Sequence, residues 1–266
     1  MRYALKFCCV VVPFFATAAI AQDAAPQAAQ QAALTMKSPA VSAADVDWVA
    51  VRSAIAGWEV PAAADQLTAL NAATDTLFSK IAASTVPVLL PFDTSGFLRD
   101  RTHGAVAADN NTYFAGFHAA FFYSGPSGYD AMFALQPQDA AGLDLTYLRR
   151  VDIQISGFAF VYGLDGSSPA GGSPVPELES QFPGIRSVLL ESHLRFTFMR
   201  FGVPYAVSIE CFDGAARMRR LSCREASKVA VRFLKALAIV GGTPADKPAA
   251  EMMVPARAME QPVTGD

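Results

Sequence analysis

The amino-acid sequence predicts an α+β fold: a mainly antiparallel sheet of about five or six strands, with N-terminal helices and a disulfide-pinned C-terminal helix packed on it. Three observations lead there. The middle of the chain carries β-branched and aromatic runs, "VPVLLPF", "TYFAGFHAAFFYSG", "YDAMFAL", "RRVDIQISGFAFVYG", "SVLLESHLRFTFMRFG" and "PYAVSIECF". Gly, Pro, Asp and Asn separate these runs, which is the punctuation of strands with short connections. The segments on either side repeat apolar residues at helical spacing, and Cys211 and Cys223 bracket the junction between the last strand run and the last helix.

The chain opens on Arg2 and Lys6, runs through the apolar "FCCVVVPFFATAAI" and reaches Ala19-Ile20-Ala21 before Gln22. A basic start, an apolar stretch and small residues before a cut mark residues 1–21 as a secretory signal peptide. The apolar stretch is shorter than the roughly 20 residues a spanning helix needs. The expected product is therefore exported, periplasmic or extracellular, with no transmembrane segment after cleavage. Losing Arg2 and Lys6 with the signal takes the formal net charge from −3 to −5. An acidic balance excludes general nucleic-acid binding, which needs cations to displace counterions from phosphates. Cys8 and Cys9 leave with the signal, so Cys211 and Cys223 remain to pair in an oxidising compartment.

Residues 22–44, rich in Ala and Gln and broken by Pro26 and Pro39, predict a flexible tether that buries too little to fold alone. A single α+β domain over 45–242 follows, and 243–266, with repeated prolines and little apolar periodicity, predicts a disordered tail. At the start of the domain, Ser42 and Asp45 resemble a capping box ahead of "VDWVAVRSAIAGW", whose apolar groups suit a helix. A second helix follows Pro61, where Leu67, Leu70, Thr74, Leu77, Phe78 and Ile81 keep a three-four rhythm, and it ends before Pro87.

The strand runs then extend to Phe212, interrupted by "SSPAGGSPVP" over 167–176, a surface loop without a core-forming pattern. In "VDIQISGFAFVYG", Val151, Ile153 and Ile155 share one face opposite Asp152, Gln154 and Ser156, after which Phe158, Phe160 and Tyr162 turn the wet face apolar. Such a switch predicts a cover, whether helix, ligand or partner chain. Pairing through Gly202-Val203-Pro204 lets Glu210 approach His193, and a hairpin about that turn puts Phe201 near Tyr205 and carries Thr197 toward Ile209, with His193 further out. The last regular element is a helix with a Ser222–Glu225 capping box and an apolar face of Ala226, Val229, Ala230, Phe233, Leu234 and Leu237, stopped by Gly241-Gly242.

Two groups of residues carry candidate chemistry. In "ESHLRFTF", extended backbone sets Glu191, His193 and Arg195 on one face, where a carboxylate, an imidazole and a guanidinium are the parts of a proton relay with an anion clamp. The same alternation is what any half-solvated strand shows. In "GAARMRRLSCRE", Arg217, Arg219, Arg220 and Arg224 gather at the start of the last helix, whose free N–H groups also favour anions, although a solvated hairpin whose arginines pair with Glu210, Asp213 and Glu225 reads the same way. His118 shares a face with Phe114 and Phe122, His103 sits in the polar connection "RDRTHG", and the three histidines lack the spacing by which one element presents two imidazoles to a metal. No metal site and no cofactor is expected, and no nucleophile elbow, Walker loop or dinucleotide glycine run occurs.

The expected function is an exported bacterial cell-envelope protein, a non-enzymatic binding or structural module recognising an anionic envelope component or another envelope protein. The alternative is a periplasmic hydrolase of envelope polymer or esters with His193 as base and Glu191 as its orienter. A subunit interface on the aromatic strands is a third expectation.

Overall fold

The alternating runs form strands, and most of the strands form one sheet. The computed structural model of the chain describes residues 40–58, 65–104, 110–143, 145, 149–163, 171–212 and 221–245. Among them the main sheet has seven strands in the order β3-β4-β5-β10-β9-β8-β7, every neighbour antiparallel. Its members are β3 (Phe117–Gly125), β4 (Gly128–Leu135), β5 (Val151–Phe158), β7 (Ser173–Pro174), β8 (Arg186–Leu190), β9 (His193–Arg200) and β10 (Val203–Glu210). The count exceeds the expected five or six because "SVLLESHLRFTFMRFG" folds as two strands and because Ser173–Pro174 adds a short edge within the predicted loop.

Alternation decides the two faces. Tyr129, Ala131, Phe133 and Leu135 of β4, Val151, Ile153 and Ile155 of β5, and Val203, Tyr205, Val207 and Ile209 of β10 are buried on the inner face. A second layer covers that face. Helix α4 (Cys223–Lys235) contributes Ala226, Val229, Ala230, Phe233 and Leu234, with the Phe233 ring edge-on to Phe117 and Phe133 at 5.1 and 5.7 Å. Beside it lies a two-stranded ribbon of β2 (Val88–Pro91) and β11 (Leu237–Gly241). Tyr129 ties sheet to ribbon: its hydroxyl donates to the Leu89 carbonyl at 2.9 Å and accepts from the Leu89 N–H at 3.1 Å. The Tyr205 hydroxyl donates to the Pro87 carbonyl at 2.8 Å.

The helices α2 (Gln66–Thr74) and α3 (Thr94–Thr102) close the far side of the ribbon. Among the described residues β11 has only β2 as a strand neighbour, so its other edge needs partners. Side chains supply them: Thr94 and Thr74 hydroxyls donate to the carbonyls of Ile239 and Val240, and the Asn71 amide both donates to and accepts from the backbone of Gly242, each at 2.9 Å. This is why Asn71, Thr74 and Thr94 are buried although polar.

Several expectations change. Ala40–Ala43, inside the predicted tether, forms β1 and pairs with β6 (Phe160–Gly163), so ordered chain starts before residue 45. Ser42 is therefore a strand residue, and the first helix, α1 (Trp48–Ile55), is capped instead by Asp47, whose carboxylate accepts from the Ala50 N–H at 2.8 Å. The second helix ends at Thr74, well before Pro87; the chain reverses at Lys80, φ 62°, and Ile81 sits in a single 3-10 turn. "RDRTHG" is the end of a helix rather than a connection, started by Asp93, which accepts from the Gly96 N–H at 3.0 Å. The last helix stops at Lys235, and Leu237 begins a strand, because an apolar run buried on both faces has no period of its own. Pro61, the sequence 164–170 and the tail beyond Ala245 lie outside the described residues.

The break at Ala159 sends Phe160 into the small β1–β6 pair, where it is half-buried, while Phe158 stays 41 % exposed.

Candidate functional site

The strand with Glu191, His193 and Arg195 begins later than its sequence suggests. Leu190 pairs with His193, so Glu191 and Ser192, at φ 46° and 65°, form the two-residue turn between β8 and β9. Positive φ at both central positions matches the twist of the flanking strands. Glu191 thereby leaves the face of His193 and Arg195, and only its backbone reaches the imidazole: His193 Nδ1 donates to the Glu191 carbonyl at 3.1 Å. The next turn, Phe201-Gly202 at φ 53° and 74°, is of the same kind and sets a tighter register than the expected hairpin. Thr197 pairs with Ala206 rather than Ile209, and Glu210 stands directly opposite His193. Both His193 and Arg195 are exposed on the outer face of the sheet, a surface rather than a cleft.

His118 changes face. A bulge between Ala119 and Phe121 shifts the parity of β3, so Phe117 and Phe122 turn inward and His118 outward. Its Nε2 lies 2.7 Å from Asp139 Oδ2, with both side chains about one-third exposed. His103 ends α3 and is exposed. Among the described residues no three His, Cys, Asp or Glu gather as metal ligands would.

Cys211 and Cys223 form the disulfide, joining the end of β10 to the first residue of α4 with a sequence separation of 12. The Ser222–Glu225 box is complete: the Glu225 N–H donates to Ser222 Oγ at 3.3 Å and the Ser222 N–H to Glu225 Oε2 at 3.1 Å. Below the disulfide, the Phe212 N–H donates to the Leu221 carbonyl at 2.8 Å. Closing a loop of this length stabilises by about 3 kcal/mol in the chain-entropy estimate. Reduction is thus expected to lower the melting temperature by about 6–12 °C for a domain of this size. Calorimetry with and without reductant, with alkylation to confirm two thiols, checks this; an unshifted transition rules the clamp out.

Arg217, Arg219 and Arg220 lie outside the described residues, whereas Arg224 is exposed on the first turn of α4. Further along the helix, Lys228, Arg232 and Lys235 follow at spacings of four, four and three, which keeps all four cations on one side of the helix. Three of them, Lys228, Arg232 and Lys235, line a groove of about 370 Å³ together with Val231 and the chain Ala141-Gly142-Leu143. Arg232 builds its floor. The guanidinium donates to the carbonyls of Asp139 at 3.0 Å and Ala115 at 2.8 Å and lies 5.8 Å from the centre of the Phe117 ring. Gly116, at φ 86°, leaves that space: a Cβ there would stand 2.6 Å from Arg232 Nη2.

Lys228, Arg232 and Lys235 were readable in "REASKVAVRFLK" as the polar side of an amphipathic helix, but nothing local announces the facing segment from Ala141. Another arginine, Arg200, is handled differently. Its guanidinium lies over the rings of Phe182 and Phe201 at 5.5 and 5.0 Å, Nη1 has no hydrogen-bond partner among the described residues, and burial holds its pKa below the usual arginine range. Comparison of the chain with protein-family models, with curated proteins and with solved structures gave no match. Among the described residues no helix is long and apolar enough to cross a membrane.

Proposed function

We propose that the protein is an exported, non-enzymatic module of the bacterial cell envelope that binds an anionic component along the basic side of α4. One observation carries this reading: four cations on one side of a helix, three of them lining a groove, in a chain whose formal net charge is −3. Like charges held together on an acidic protein repel one another, and an anion relieves that repulsion. The disulfide fits an oxidising compartment. The hydrolase reading has less support. Its base would sit exposed on an open sheet, with Glu191 offering only its carbonyl.

Inorganic polyphosphate and poly-L-glutamate serve as probes for phosphate and carboxylate chemistry. Binding of one of them is expected to weaken as salt rises. Lys228→Gln with Lys235→Gln is expected to lower affinity about tenfold, from roughly 0.5–1 kcal/mol per exposed cation. Arg232 is left in place because it holds backbone carbonyls. Affinity indifferent to the two substitutions, or no binding of either probe at low salt, refutes the reading.

A further inference from the structure

Among the described residues, the sheet face turned away from α4 carries exposed side chains. Phe158 and Met199, one strand to either side of β10, are 41 % and 49 % exposed on it. β10 is the fourth of seven strands, and charge divides on it. On one side β4 and β5 present Asp130 and Asp152; on the other β9 and β8 present Arg195 and Arg186. A face that is negative on one half and positive on the other is complementary to its own copy turned by a half rotation about the dividing strand.

We propose that two copies of the chain associate through this face, stacked sheet on sheet about a two-fold axis running along β10. The ladder registers place the partners. One row reads Asp130, Ser156, Ala206, Thr197, Arg186, centred on Ala206. Rotation about its centre lays Asp130 over Arg186 of the second copy, and Ser156 over Thr197. The next row reads Met132, Gln154, Ser208, Arg195, Val188, centred on Ser208. Here Met132 meets Val188, and the Gln154 amide meets Arg195. At one end of the face Phe158 meets Met199, apolar on apolar. At the other end Asp152, held in its own chain by Arg150 at 2.6 Å, comes over His193. Glu210 meets its own copy there, at the exposed end of β10, with a His193 on each side.

Aligned sheets cross at about 30°, which displaces a residue two strands from the axis by about 5 Å along the partner strand. An arginine side chain spans that distance. Strands about 4.8 Å apart and about 3.3 Å per residue give a footprint of the order of 800 Å² per copy, the size of a stable interface.

Sedimentation of the full chain tests the proposal. The protein is expected to dimerise, and Arg186→Asp and Asp130→Arg are each expected to weaken self-association at least tenfold, since each sets like charge on like. An equimolar mixture of the two variants is expected to form a heterodimer, because each copy then carries two charges of one sign at these positions and the mixed pair restores both opposite-charge contacts. If either charge variant melts below the parent, Phe158→Ser with Met199→Ser provides an independent disruption of the same face. A monomer at every concentration assigns the face to a different partner and overturns the proposal. A dimer indifferent to these substitutions, or charge variants that stay apart when mixed, overturns it as well.

Discussion

Replacing Gly157 by alanine is expected to destabilise the protein by about 2–3 kcal/mol, and replacing it by valine to leave no folded protein. Gly157 lies on the inner face of β5, paired with Tyr129 on one side and Tyr205 on the other. The tyrosine rings approach one another across it, with centroids 6.4 Å apart. A Cβ added at Gly157 would stand 2.5 Å from Cε1 of Tyr129 and 2.8 Å from Cε1 of Tyr205. Neither ring is free to step aside, because each hydroxyl is bonded to the backbone beside or within β2 and each side chain is buried. Moving Tyr205 also disturbs Phe198, stacked on it at 5.3 Å, and Phe182 beyond at 4.4 Å.

The sign of this effect separates packing from backbone freedom. Where a glycine's native conformation suits any residue, alanine gains about 0.4–1 kcal/mol by restricting the unfolded chain. Urea unfolding of Gly157→Ala measures which term wins. A midpoint equal to or above that of the parent sinks the close-approach account, and partial recovery on adding Tyr129→Leu locates the clash.

Strands with one wet face declare themselves in the chain. Asp152, Gln154 and Ser156 alternate with Val151, Ile153 and Ile155, and both sets lie on the faces their spacing assigns. The C-terminal helix was as clear, since Ser222 with Glu225 and Cys211 with Cys223 are local signals with fixed geometry. What stayed hidden depends on partners distant in sequence. "AVSA" is a strand only because β6 lies beside it, and "LAIVG" only because β2 and the side chains of α2 and α3 take both its edges. The bulge that turned His118 outward inserts one residue without a glycine or proline to mark it. The Glu191-Ser192 turn lacks the Asn-Gly pair that announces such turns, so Glu191 read as a strand residue. The groove beside α4 needs Ala141-Gly142-Leu143, a segment far earlier in the chain.

The same tyrosine pair makes the fold sensitive to alkali. Burial pushes the Tyr129 hydroxyl far above its ordinary pKa, against the opposing pull of its Leu89 backbone contact and with some help from the charge of Asp130. Burial also raises Tyr205, as does the neighbouring Tyr129, and Arg200 only partly opposes it. A folded pKa above the unfolded value of about 10 contributes stability that is fully present below pH 10 and is lost as pH rises toward the folded pKa. Each phenol that must stay neutral in the fold costs about 1.4 kcal/mol per pH unit in that window. Two together double that slope, against a typical domain stability of about 5–15 kcal/mol. The expected result is a steep unfolding transition above pH 10, in which phenolate absorbance and loss of helix signal rise together. Tyr205→Phe removes one titrating group and gives up one hydrogen bond, about 1 kcal/mol, so it starts less stable at neutral pH yet unfolds with about half the slope in alkali. Phenolate absorbance that develops fully before the helix signal changes would mean that both hydroxyls ionise within the intact fold, and the buried ties to Leu89 and Pro87 would then not hold sheet to ribbon.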